Sequence, residues 1–306
     1  MIKLDEIRSF FRGYIGLNES LSRYTSFRIG GPADCYLEPA DKDDAFEIVR
    51  HFQEHGVTFV IMGKGTNLLV SDDGLRNPVI NLEMGLNGLV ADTRSIRVEA
   101  GVRMSRFVDF CIQQAKKGVE MLAGIPGTMG GAVVMNAGAY GGEISDYLTE
   151  VEIIRDGAMR TVQKSDAGFS YRRSGFQRDV VLGASFDLPD GDKADLLRRR
   201  RELLIKRNDS QPLNLPNSGS VFKNPAGDHA ARLIEAAGLK GARRGGAQIS
   251  EKHANFIVNH GDATAMNVFE LMKLARSSVK TKFGIALEPE VKLIGFPEEI
   301  RKELSV

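Results

Sequence analysis

Gly124-Ile125-Pro126-Gly127-Thr128-Met129-Gly130-Gly131-Ala132-Val133-Val134-Met135-Asn136-Ala137-Gly138-Ala139-Tyr140-Gly141-Gly142 carries seven glycines in nineteen residues, beside Pro126 and mostly short side chains. Glycine lacks a Cβ, so such a stretch reaches backbone shapes closed to other residues and lets a ligand approach the main chain closely. It reads as a backbone surface for a flat or phosphorylated ligand. Its spacing is not that of a Rossmann turn: Gly124, Gly127 and Gly130 lie three apart and follow a helix-like segment rather than a strand. No GxxxxGK[ST] loop, HExxH or GxSxG occurs elsewhere.

Working outward, short strand candidates lie at Val79–Leu82, Ile96–Ala100, Val151–Ile154 and Val180–Leu188, with a helix from about Arg103 to Lys117. The middle of the chain is therefore read as α+β. Further toward the N-terminus, Asp41 to Gly56 places Ala45, Ile48, Val49 and Phe52 on one helical face and stops at glycine. The strand Phe59–Met62 then empties into a second glycine loop, Gly63-Lys64-Gly65-Thr66-Asn67-Leu68. A loop at a strand end is a favourable place for a ligand.

Toward the C-terminus, a helix from Ala194 to Lys206 carries Arg198-Arg199-Arg200-Arg201, which reads as a solvated helical face rather than a nucleic-acid contact. After the break from Gln211-Pro212 to Pro216 come Ser218-Gly219-Ser220-Val221-Phe222-Lys223-Asn224-Pro225 and two helices. The first spans Ala230–Ala237, and the second spans Ala263–Phe283 with Asp262 as its cap and Gly284 as its stop.

At 306 residues the chain exceeds the size at which one core usually keeps growing, so two or three domains are expected. With 41 basic against 40 acidic side chains it has no sign bias toward a polyanion. Cys35 and Cys111 sit among apolar neighbours and read as buried free thiols of a reducing compartment. The N-terminal stretch holds Asp5 and Glu6 and lacks a secretory core, and no apolar run is long enough for a bilayer, so a cytoplasmic location is expected. His51 and His55 are spaced i,i+4, but the sequence offers no third ligand beside them, and no metal is expected.

Three polar residues stand out in apolar or glycine-rich settings. Arg172 lies among Phe169, Tyr171 and Phe176 and could hold a carboxylate bidentately, although a rim salt bridge is the commoner use. Ser220 follows Gly219, where a serine is most often only a turn former. Glu290 sits in the strand-like run Leu287–Ile294; if Val291 and Leu293 face the core, Glu290 and Lys292 face solvent or a cleft. The residues alone give candidates without a reaction.

Taken in order, the segments Tyr24–Ala33, Gly63–Leu69, Gly124–Gly131 with Asn136–Gly141, Phe169–Arg172, Gly219–Pro225, Ala236–Gly241, His253–Asn259 and Leu287–Val291 resemble the UDP-N-acetylenolpyruvoylglucosamine reductase family throughout the chain. The resemblance implies an α+β protein of three domains. Residues 1–82 with 286–306 and residues 83–205 would form a flavin-binding pair of the vanillyl-alcohol-oxidase type, and 206–285 a substrate domain. It implies an enzyme that uses NADPH and non-covalently bound FAD to reduce the enolpyruvyl ether of UDP-N-acetylglucosamine to UDP-N-acetylmuramate, with both partners using one cleft of a monomer. FAD would lie on Gly63, Lys64, Gly65, Thr66, Asn67 and Leu68 and on Gly124, Pro126, Gly127, Gly130, Gly131, Asn136 and Ala137. Arg172 and Glu290 would stabilise an enolate-like intermediate, and Ser220 would deliver the proton to C2, with Lys223 or a water chain restoring it. Asn224 matches a position on the substrate diphosphate, and Tyr171, Lys223 and Lys206 are placed on the substrate with it. Only a short segment without tyrosine separates Phe176 from the strand at Gly183–Leu188, which matches the shorter type of the family. A flavin oxidase of similar fold leaves Ser220 unexplained, and a non-catalytic nucleotide-sugar binder needs none of Arg172, Ser220 and Glu290.

Overall fold

Helix caps and apolar spacing set the elements in the order the chain meets them. The computed structural model describes residues 4–92 and 95–304, so the first three residues of the N-terminal stretch lie outside the described residues. Helix α1 (Leu4–Phe10) buries Ile7 and is followed by strands β1 (Tyr14–Ser20) and β2 (Pro32–Glu38). Helix α2 (Lys42–Glu54) starts where the Asp41 side chain accepts the Asp44 N–H, and it buries Ala45, Ile48, Val49 and Phe52 as the spacing requires. Strands β3 (Val60–Met62), β4 (Leu68–Val70), β5 (Val79–Asn81), β6 (Leu89–Ala91) and β7 (Ile96–Glu99) lead to helix α3 (Met104–Gln113).

The glycine-rich stretch contains a helix that the sequence reading passes over, α4 (Met129–Met135), followed by two-residue strands β8 (Gly138–Ala139) and β9 (Gly142–Glu143). Adjacent glycines disfavour a helix by about 1 kcal/mol each. Here tertiary bonds fix the first turn, since the Met129 and Gly130 N–H groups donate to Val102 and Ala100, both at 2.8 Å. Beyond it lie β10 (Leu148–Arg155), β11 (Ala158–Gln163), β12 (Val180–Phe186), α5 (Lys193–Ser210), α6 (Ala230–Ala236), β13 (Arg243–Arg244), β14 (Ala247–Ile249), β15 (Ile257–Asn259), α7 (Ala265–Phe283), β16 (Lys292–Ile294) and α8 (Glu298–Glu303). The cap of α7 is Thr264 rather than Asp262, because Thr264 and Asn267 exchange side-chain and backbone hydrogen bonds. Gly284 closes that helix in the left-handed conformation, as its position in the sequence suggests.

The chain divides into two compact units. Unit one takes residues up to Leu17, Cys35–Lys64 and Asn77–Lys206. It holds a sheet of order β1-β2-β5-β3, in which β2 and β3 both run parallel to β5, and an antiparallel sheet of order β11-β10-β12-β7-β6. Arg155 at the end of β10 forks onto Asp179 just before β12, with bonds of 2.9 and 2.6 Å. The arginine run differs from a purely solvated face. Arg198 pairs along its own helix with Asp195 and Glu202, while Arg199 reaches the buried Glu120 at 3.0 Å and Arg200 reaches Asp109 at 2.6 Å. These guanidinium groups are occupied by carboxylates of the same unit.

Unit two takes Asn18–Asp34, Gly65–Arg76 and Arg207 onward. Its sheet has the order β13-β14-β15, and β16 pairs with β4 in parallel, Leu293 opposite Leu69. Its core gathers Phe27, Ile29 and Leu69 from the early segments with Phe222, Leu233, Ile257, Phe269 and Met272 from the late one. Among the described residues, no helix is long and apolar enough to cross a membrane.

Candidate functional site

In unit one, the C-terminal end of α4 builds the Arg172 turn. Asn136 ends that helix in the left-handed region (φ 43°) with its side chain buried. Its Nδ2 donates to Glu143 at 2.7 Å and to the Ser170 carbonyl at 3.1 Å, and its Oδ1 accepts from the Ser145 N–H at 3.3 Å. Ser170 and Arg173 exchange backbone bonds of 2.9 and 3.0 Å, which leaves Tyr171 and Arg172 at the tip of a tight turn. Ser174 and Gln177 each donate to the Val134 carbonyl at 2.9 Å, so the whole turn is stitched to α4.

Arg172 itself adopts φ 55°, a conformation that costs a non-glycine residue free energy and that clusters at functional sites. Its Nη2 donates to the Gly138 carbonyl at 3.1 Å, and its guanidinium lies 5.1 Å from the Tyr171 ring centroid. A half-buried planar cation held this way is pre-set for bidentate contact with a carboxylate.

The two glycine-bearing segments of unit one meet closely. A Cβ on Gly63 would stand 2.1 Å from Thr128 Oγ1, so only glycine lets the end of β3 lie against the start of α4. Gly127 (φ 112°) bends the chain into that helix, while Gly131 is exposed and a Cβ there would find no atom nearer than 3.9 Å. Gly63, Gly124, Gly127 and Gly130 are half-buried and Lys64, Pro126 and Gly131 exposed, with Ala137 half-buried behind them. The result is an accessible, mostly backbone surface of the kind a dinucleotide cofactor needs, with no histidine or cysteine positioned in it for a covalent bond.

In unit two, the Ser220 segment is held on both sides. Asn217 organises the approach, accepting the Gly219 N–H at 2.9 Å and donating to the Pro212 and Leu215 carbonyls at 3.2 and 2.8 Å. Gly219 has φ 78°, and Ser220 emerges half-buried, bridged to Phe256. On the far side, the Glu290 N–H donates to Val221 and the Lys223 N–H to Glu288, both at 2.9 Å. Ser220 and Glu290 are thus brought to adjoining backbone segments. Asn67 joins them: its Nδ2 donates to the Glu290 carbonyl at 3.1 Å, and its own carbonyl accepts the Lys292 N–H at 2.9 Å.

Glu290 precedes β16 and is half-buried, with Val291 and Leu287 buried on either side of it. The Lys223 ammonium pairs with Glu288. Partial desolvation of its ammonium end holds Lys292 below its ordinary pKa although the residue as a whole is exposed, with the Lys223 charge adding to that effect and Glu288 and Glu290 opposing it. Asn224 is exposed and its Oδ1 accepts the first N–H of α6 at 3.0 Å. Lys206 is exposed on α5, whereas the neighbouring Arg207 is buried. Gly65 (φ 58°), Thr66 and Leu68 complete the loop that carries Asn67.

Two asparagines do structural work that residue-by-residue reading does not find. Asn255 brackets the Ser220 segment through Phe222, and Asn259 donates to the Phe27 carbonyl at 2.8 Å while accepting the Gly261 and Ala263 N–H groups at 2.7 and 3.1 Å. Their signal in the sequence is only that polar amides interrupt the apolar run His253–Asn259.

Comparison with known proteins bears on both units. A family model described as "FAD binding domain" matches residues 33–163, and one described as "UDP-N-acetylenolpyruvoylglucosamine reductase, C-terminal domain" matches residues 211–294. The chain is 43% identical over 311 residues to the UDP-N-acetylenolpyruvoylglucosamine reductase of Chloroherpeton thalassium, covering 99% of this chain and all of that one. The protein of the same name from Caldanaerobacter subterraneus subsp. tengcongensis is 40% identical, over 96% of this chain and 98% of its own. The crystal structure of UDP-N-acetylenolpyruvylglucosamine reductase from Thermus caldophilus superposes with a TM-score of 0.80 at 35% identity, over 93% of this chain and all of that one.

Proposed function

The chain belongs to the UDP-N-acetylenolpyruvoylglucosamine reductase family, a family of oxidoreductases with an FAD-binding domain, and from that premise we propose the reaction it carries out. It reduces the enolpyruvyl ether of UDP-N-acetylglucosamine to UDP-N-acetylmuramate at the expense of NADPH, in peptidoglycan precursor synthesis. The near-complete coverage of relatives of that name carries this reading. It is supported by the mutual ordering of Ser220, Glu290 and Asn67 and by the strained, braced Arg172.

The backbone around Gly63–Leu68 and Gly124–Ala137 would hold FAD. FAD supplies the hydride chemistry when bound. Reduction of the alkene at C3 places negative charge at C2, which spreads into the substrate carboxylate. Arg172 then offers two parallel N–H groups to that carboxylate, where charge grows in the transition state. Glu290, in its protonated form, donates a hydrogen bond to the same enolate. The Ser220 hydroxyl delivers the proton to C2, and Lys223 or a water chain restores it. Asn224, Tyr171 and Lys206 bind the UDP-sugar.

We further assign the flavin-binding pair to residues 1–82 with 286–306 and to residues 83–205, and the substrate domain to 206–285, in a cytoplasmic monomer. The two separate sheets of unit one support the separation within the flavin-binding pair.

The experiment is anaerobic and spectroscopic. The purified protein is yellow, is bleached by NADPH and recovers its colour on adding UDP-N-acetylenolpyruvoylglucosamine. Ser220→Ala is bleached normally but recolours slowly. A protein that takes up FAD and is not reoxidised by the enolpyruvyl sugar would overturn the assignment.

A further inference from the structure

At the surface of unit one, α1 and the C-terminal end of α2 bring together Glu6, His51 and His55. One carboxylate oxygen and one ring nitrogen from each histidine all lie within 4.8 Å of one another. His51 lies in the last turn of α2 and His55, four residues on, caps its C-terminus, and their tilted rings lie 4.3 Å apart between centroids. Phe10 flanks His51 at 5.2 Å. The third donor comes from forty-odd residues earlier in the chain, which is why the histidine pair looks incomplete in the sequence.

The tautomer of His55 is fixed by its surroundings. Its Nδ1 lies 2.8 Å from the His51 carbonyl, which can only accept, so Nδ1 carries the proton and Nε2 of the neutral ring carries the lone pair. Nε2 is the atom that faces Glu6, at 4.0 Å from Oε1. A ring N–H anchored on a backbone carbonyl, with the opposite nitrogen directed at other donors, is the outer-shell arrangement found around metal-bound histidines.

We propose that Glu6, His51 and His55 form a binding site for a divalent transition-metal ion of the zinc type, with water as the fourth ligand. Two imidazoles and one carboxylate suit zinc, nickel or copper and do not suit magnesium or calcium, which require oxygen donors throughout. Tetrahedral bonds of about 2.0–2.1 Å place donors about 3.3 Å apart, so the site closes by side-chain rotation, chiefly of the exposed Glu6. The ion would tie α1 to α2 and so fasten the N-terminal helix, whose Ile7 already packs into the core of unit one. The site lies within one compact unit and uses none of the residues assigned to the reaction.

The test uses FAD-loaded protein without an affinity tag, stripped with chelator and titrated calorimetrically with zinc chloride. The expected result is one ion per chain at micromolar affinity and a raised unfolding temperature. His55→Ala and His51→Gln each weaken that affinity by about tenfold or more. His260→Ala, an exposed histidine elsewhere, leaves it unchanged. Flavin absorbance and circular dichroism establish that each variant is folded. Zinc binding that survives the His51→Gln/His55→Ala double variant, or that appears only at millimolar concentration in the parent, would overturn the proposal.

Discussion

Asn255 acts as a strand partner for Phe222: its Oδ1 accepts the Phe222 N–H at 3.0 Å and its Nδ2 donates to the Phe222 carbonyl at 2.7 Å. Both residues are buried, and the Val221 N–H donates to the Asn255 carbonyl at 2.9 Å. The amide therefore fixes the height at which Ser220 emerges, two residues earlier. Asn255→Ala leaves two buried backbone groups unmatched, at about 1–3 kcal/mol each. Asn255→Asp keeps the acceptor and places a second one against the carbonyl. Both variants should unfold at lower temperature and should slow flavin reoxidation by the enolpyruvyl sugar more than flavin reduction by NADPH. Equal slowing of the two half-reactions would mean that Asn255 supports stability alone.

The close approach of Gly63 and Thr128 gives a paired prediction. Gly63→Ala drives a methyl group into Thr128 Oγ1 and should lower both the FAD content and the unfolding temperature, with overpacking of this kind costing about 1–3 kcal/mol. Thr128 does not cap α4 with its side chain, so Thr128→Ala should be mild by itself. The double variant should recover part of the flavin lost by Gly63→Ala. Strict additivity of the two losses would show that the clash at this point is not what limits FAD binding.

Arg199 is half-exposed but its partner is not. Glu120 is 3% exposed, accepting from Arg199 at 3.0 Å and from the Gly118 N–H at 2.7 Å. Arg199→Ala strands a buried carboxylate and should cost about 1–3 kcal/mol, whereas Arg201→Ala on the exposed side of the same helix should cost almost nothing. Chemical denaturation of the two variants side by side decides it. Equal midpoints would reduce the Arg199–Glu120 contact to an ordinary surface pair.

His253 gives the pH dependence its sign. Burial lowers its pKa, with Lys240 adding to the effect and Glu235 opposing it, and the ring packs edge-on to Phe256 at 4.7 Å. The unfolded chain protonates near the ordinary value of about 6.5 while the folded protein resists. The unfolded state then binds more protons, so stability is fully present above that pH and is lost as pH falls below it. The unfolding temperature of the parent should fall more steeply between pH 7 and pH 5 than that of His253→Gln. Parallel slopes would assign the acid sensitivity to other groups.

Elements governed by local chemistry were legible in the sequence. The Ala45-Ile48-Val49-Phe52 face and the glycine stop at Gly56 marked α2, and Gly284 marked the end of α7, whereas the Asp41 cap emerged only from the structure. Helix α4 was not legible, because its glycines oppose a helix and bonds to Ala100 and Val102 from another segment decide the matter. The Thr264 cap was hidden for a related reason: Asp262 and Thr264 are both good capping residues, and only the reciprocal bond with Asn267 separates them. Of the candidate site, the sequence singled out Arg172, Ser220 and Glu290 by residue type and setting. It could not reveal that Arg172 is braced by Gly138 or that Asn67 reaches Glu290, since partners so far apart in the chain leave no periodic trace.

Unit two is assembled from three separated stretches, and its core joins Phe27, Ile29 and Leu69 to side chains beyond Arg207. A chain leaving the ribosome at about 5–20 residues per second has all of unit one available before those three side chains acquire partners. For many seconds of synthesis they are apolar surface without a home, which is the interval in which a holdase chaperone or a neighbouring nascent chain can capture them. The strand that ends the wait is β16, whose pairing with β4 cannot form until Lys292–Ile294 have been made, more than two hundred residues after β4.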